Sequence, residues 1–102
     1  MARRPSIPIA CTLSTSDAAA QAAEWVALRA DLVDHSEVPR GRRLCFPIAM
    51  ADRVRDLARR EATCCAFLDI VVSEDERHVR VTITSDDPAA APVIGLLCGD
   101  PI

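Results

Sequence analysis

The residues with chemical potential are five cysteines, Cys11, Cys45, Cys64, Cys65 and Cys98, and one glutamate, Glu61. The number of cysteines is odd and no secretion signal is visible, so a disulfide framework is not expected. In a reducing compartment, thiols that are not merely packing serve as metal ligands, nucleophiles or redox groups. The informative segment is Arg60-Glu61-Ala62-Thr63-Cys64-Cys65-Ala66-Phe67. On a helical wheel at 100° per residue, Met50, Val54, Leu57, Ala58 and Leu68 gather on one side, with Asp52, Asp56 and Arg59 opposite. Glu61 falls near the middle of the apolar side, Cys65 lies one turn further along it, and Cys64 sits at its flank, about 100° from Cys65.

Glutamate is almost never fully buried unless it is paired or put to use. Glu61 is therefore expected to be largely buried, with either a raised pKa or a specific partner such as Arg29, Arg43 or a backbone donor. The alternative to a structural partner is a ligand or a carboxyl lining a pocket. Two or three thiolates with no histidine beside them suit a soft cation: Hg(II), As(III), Cu(I), Cd(II) or Zn(II). Cys64 and Cys65 lie near a helix C-terminus, where the dipole disfavours an anion, so a bound cation would supply the missing positive charge. Cysteine nucleophilic catalysis lacks that support. Cys98 reads as helix packing, and His35 and His78 as solvated.

The elements that must position these groups follow from patterning. Ile7-Pro8-Ile9-Ala10-Cys11-Thr12-Leu13 alternates with period two, which predicts a strand with Cys11 on its buried face. An alanine-rich helix comes next over about residues 17–33, with Ala18, Ala22, Trp25, Leu28 and Leu32 in one stripe. Residues 34–42 read as a loop, marked by Pro39 and Gly41. Residues 43–46 form a short strand with Leu44 and Phe46 inward and Cys45 on the other face. A second helix covers about residues 50–65, strands cover 68–73 and 78–84, and a last helix begins after Asp86-Asp87-Pro88. The order β-α-β-α-β-β-α predicts a two-layer α+β fold in one small domain spanning residues 1–102. If the second helix packs over the first strand, Cys11, Glu61 and Cys65 converge between the layers, and Cys64 joins from the helix end.

Composition narrows the partners. Half of the 102 residues are apolar, and no apolar run reaches the roughly 18 residues of a membrane span, which predicts a cytoplasmic protein. Net charge is −3, and the arginines, which account for all twelve basic residues, mostly alternate with acids. With neither a basic face nor aromatic stacking residues, nucleic acid is not an expected partner. Residues 79–84 leave Arg80, Thr82 and Thr84 on a polar sheet face, which suits two-fold association into a homodimer.

Ile9-Ala10-Cys11-Thr12-Leu13, the Glu24-Trp25 pair with Leu28, and Glu61-Ala62-Thr63-Cys64-Cys65-Ala66-Phe67 resemble a family of small, mainly actinobacterial proteins. These often accompany MerR-type heavy-metal-responsive regulators. The resemblance implies a metal-linked cytoplasmic role, with Cys11, Glu61, Cys64 and Cys65 as the matching positions and no activity carried over. Ala66 stands where many members have proline. Three functional classes remain open: thiol-based binding of a soft ion for resistance, buffering or delivery; a small enzyme using Glu61 or Cys65 in an interlayer pocket; and a structural or interaction module whose cysteines only pack.

Overall fold

The computed structural model describes residues 15–99. The expected first strand, with Cys11, lies outside the described residues. Within them the elements are α1 (Thr15–Leu28), a 3-10 turn (Arg29–Asp31), β1 (Asp34–Val38), β2 (Gly41–Pro47), a 3-10 turn (Ile48–Met50), α2 (Ala51–Cys64), β3 (Asp69–Glu74), β4 (His78–Thr84), a 3-10 turn (Pro88–Ala90) and α3 (Ala91–Cys98). The four strands form an antiparallel sheet in the order β1-β2-β4-β3, and the fold is α+β.

The loop expected over residues 34–42 is instead largely a strand. Asp34-His35-Ser36-Glu37 has no apolar alternation because β1 buries no side chain fully; it is held by pairing with β2, from Asp34 opposite Cys45 to Val38 opposite Gly41. A polar strand at the end of the described sheet resists further pairing. Pro39 and Arg40 make the two-residue turn between them. Proline presets its own φ, and Arg40 takes φ 66°, a left-handed conformation that residues other than glycine seldom adopt.

Alternation along β2 and β4 sorts the sheet into two faces. Leu44 lies opposite Val81 and Phe46 opposite Val79, and all four are fully buried under the helices with Ile83. Burying each such side chain contributes about 2 kcal/mol. Arg43, Cys45, Arg80, Thr82 and Thr84 occupy the opposite, polar face. α2 packs across β3 and β4 through Val54, Leu57 and Ala58; α3 packs against β2; α1 rests on α2 and α3 with Trp25 and Leu28 in the core.

Polar contacts fix the helices in place. Arg60 of α2 reaches Glu24 of α1 with both terminal nitrogens, at 2.7 and 2.8 Å, and its guanidinium holds the Glu24 carboxyl below its ordinary range. The last carbonyls of a helix have no partner within it. At the end of α3, Arg29 donates to the carbonyls of Leu96 and Leu97, and Arg42 to that of Gly99. Asp87 caps the 3-10 turn that leads into α3, accepting from the Ala89 amide at 2.9 Å ahead of the expected proline. Cys98, the last residue of α3, is buried in the core as its neighbours suggested, and burial pushes its thiol up to about 11 while Arg42 and Arg29 pull the other way.

A Cβ at Gly41 would lie 1.9 Å from the carbonyl oxygen of Ile83. Gly41→Ala should therefore lower the unfolding free energy by about 3 kcal/mol in urea denaturation. Arg40→Gly should leave it within about 0.5 kcal/mol, because relief of the left-handed backbone offsets the extra entropy of the unfolded glycine. Cys98 adds a pH dependence. Below its ordinary value of 9.0 the thiol is protonated in both states and its contribution is complete. Between there and about 11 the unfolded chain ionises first, so stability falls as pH rises. Denaturation at stepped alkaline pH should show that decline, shallower in Cys98→Ala.

Candidate metal centre

The last turn of α2 carries the buried glutamate. Its inward face runs Val54, Leu57, Ala58, Glu61 and Cys64, and Glu61 is only 3% exposed. The expected burial holds, but the partners differ from the expected arginines. The indole N–H of Trp25 donates to Glu61 Oε1 at 2.8 Å, and the Gln21 side-chain amide donates to the same oxygen at 2.9 Å. Arg29 is turned to the end of α3, and strand alternation carries Arg43 to the outer face, where it donates to Thr82 Oγ1. Gln21 is the residue that sequence reasoning missed. Its signal was available, since it lies four residues before Trp25 on the stripe α1 buries.

With Oε1 held by α1, Oε2 faces sulfur. Cys65 Sγ lies 2.9 Å from Oε2 and Cys64 Sγ 3.7 Å from it. The two sulfurs are 3.5 Å apart, and Gln21 Nε2 also reaches Cys64 Sγ at 3.3 Å. A continued helix would set Cys64 and Cys65 about 100° apart. Here α2 stops at Cys64, and Cys65 leaves the helical region at φ −124°, ψ 76°. That single change of backbone direction brings the adjacent sulfurs together. The exit is held by a local turn bond, the Leu68 amide donating to the Cys65 carbonyl at 3.0 Å, and by one long-range contact, Ser85 Oγ donating to the Phe67 carbonyl at 2.8 Å.

The sulfurs are not equivalent. Cys64 carries a thiol, as do Cys45 and Cys98, whereas Cys65, against the expectation of reduced cysteines, is disulfide-bonded. A disulfide sulfur has no proton to donate, so its close approach to Glu61 becomes a hydrogen bond only after reduction. Burial raises the Cys64 pKa; the Gln21 hydrogen bond opposes this, and the Glu61 charge reinforces it.

Glu61, Cys64 and Cys65 offer one oxygen and two sulfur atoms, all within 4.8 Å of one another, and could hold a metal ion. Two sulfurs at about 2.3 Å from a tetrahedral ion are about 3.8 Å apart, close to the 3.5 Å seen here. The ion would require Oε2 and Cys65 Sγ to separate by about 0.7 Å. Cys45 lies away on the outer face, and Cys98 is the last residue of α3. His35 is exposed and His78 lies beside Asp75, so neither enters the group. Cys11 lies outside the described residues. Among the described residues, no helix is long and apolar enough to cross a membrane. Comparison with protein families, curated proteins and solved structures finds no match to the chain.

Replacing Glu61 by leucine strands the Trp25 donor in the core and leaves Gln21 only its longer contact with Cys64, losses of about 1–3 kcal/mol each. Glu61→Leu should thus destabilise the fold by about 3 kcal/mol. Glu61→Gln keeps an accepting oxygen and should cost about 1 kcal/mol. Urea denaturation followed by Trp25 fluorescence measures both, and equal losses would show that these hydrogen bonds do not matter.

Proposed function

We propose that the protein binds a soft metal or metalloid ion through Cys64, Cys65 and Glu61, for resistance, buffering or delivery. Cys11 is the fourth ligand, assigned from its place in the sequence. The observation that carries this reading is the convergence of two sulfurs and a carboxylate oxygen in a buried position between α1 and the end of α2. Sulfur donors select Hg(II), As(III), Cu(I), Cd(II) or Zn(II) over hard cations, and binding displaces the thiol protons. The C-terminal end of α2 carries partial negative charge, which favours a cation there. Gln21 and Trp25 hold Glu61 so that one oxygen stays turned towards the sulfurs, a supporting shell around the ligands. The resemblance to proteins that accompany heavy-metal-responsive regulators supports the same role. Convergence of sulfurs on Glu61 also favours this reading over an enzyme in which the carboxyl would work alone.

Native mass spectrometry of the reduced protein with Hg(II), As(III) and Zn(II) should show one ion per chain. Cys11→Ser, Cys64→Ser and Cys65→Ser should each weaken binding at least about tenfold, while Cys45→Ser leaves it unchanged. Equal affinity across the four variants would end the proposal.

A further inference from the structure

We infer that ion binding here is interlocked with the oxidation state of Cys65, so that the chain loads its ion only when this sulfur is reduced; the inference rests on the metal-binding reading above. Two observations meet in one atom. Cys65 Sγ belongs to the Glu61–Cys64–Cys65 donor group, and the same sulfur is disulfide-bonded. Thiolates are the metal ligands, and a disulfide sulfur carries no negative charge to offer. Among the described residues, the oxidised chain thus presents Glu61 and one thiol, Cys64, whereas the reduced chain presents Glu61 and the thiols of Cys64 and Cys65.

The chemistry balances with an external dithiol as reductant. Its two thiols give up two electrons and two protons and close into a disulfide. The Cys65 disulfide accepts them, its S–S bond breaks, and two protein thiols form. The ion then displaces the proton of Cys65 and that of Cys64, whose sulfur already lies 3.5 Å away. Because Cys65 is about 1% exposed, a bound ion also occupies the sulfur that reoxidation would need. Linkage makes the effect reciprocal: ion that prefers the reduced chain stabilises it against oxidation. A hundredfold preference corresponds to about 59 mV for a two-electron couple.

The test compares two preparations of the full chain: one air-oxidised, one reduced with a phosphine and desalted without oxygen. Thiol content is counted by maleimide mass shift after denaturation. Each is titrated with Cd(II), and binding is read by calorimetry and by sulfur-to-cadmium absorbance. The reduced chain should bind one Cd(II) at least about a hundredfold more tightly than the oxidised chain. Equal affinity in the two states overturns the interlock and leaves the metal-binding reading standing. Absence of Cd(II) binding in the reduced chain overturns both. Cys98→Ser should retain the difference between preparations, and Cys65→Ser should abolish it. A difference that survives in folded Cys65→Ser, with folding checked by circular dichroism, overturns the assignment to this sulfur. Should Cys65→Ser not fold, the wild-type comparison decides alone.

Discussion

A carboxylate buried to 3% exposure must find hydrogen-bond donors, and the arrangement of α1 against α2 answers that need. Glu61 sits at the centre of the apolar face of α2, where solvent cannot reach it. Trp25 and Gln21 come from α1 and both donate to its Oε1. The same tryptophan fills the core with its ring, so packing and polar pairing place it at once. On the rim, the paired contacts of Arg60 with Glu24 join the same two helices. An ion pair this exposed adds little energy. Because Oε1 is taken by α1, Oε2 is left to the sulfurs.

The helix end supplies the second constraint. Neither glycine nor proline stands at residues 61–68, so no local breaker explains why α2 stops at Cys64. The stop is accompanied by a local turn, in which the Leu68 amide bonds back to Cys65, and by two tertiary contacts: Leu68 enters the core, and Ser85 anchors the carbonyl of Phe67. Adjacent cysteines that would diverge on a continuous helix converge as a result. A donor group is thus built from neighbouring residues by the direction of the exit from the helix.

Arginine carries several unrelated tasks on this small scaffold. Arg29 and Arg42 satisfy the last carbonyls of α3, Arg60 joins α1 to α2, and Arg43 and Arg80 stand on the outer sheet face. Arg80 pairs there with Asp75, whose carboxylate also accepts two turn amides and is held far below its ordinary range. The flat reach and permanent charge of the guanidinium suit all of these positions.

Periodicity alone determined the helices, three of the four described strands and the inward residues Leu44, Phe46, Val79, Val81 and Ile83, because burial on one face imposes a repeat that can be read without coordinates. It also placed Glu61 on the buried side of its helix and Cys45 and Cys98 away from it. β1 stayed hidden because a strand that buries no side chain fully has no hydrophobic pattern; only its pairing with β2 defines it. The partners of Glu61 were decided by tertiary structure, since Gln21 and Trp25 are distant in sequence and reach it only through the packing of α1 on α2. The 3.5 Å meeting of the Cys64 and Cys65 sulfurs was decided there too, because it depends on the backbone turning at Cys65, and that turn is held by contacts made further along the chain.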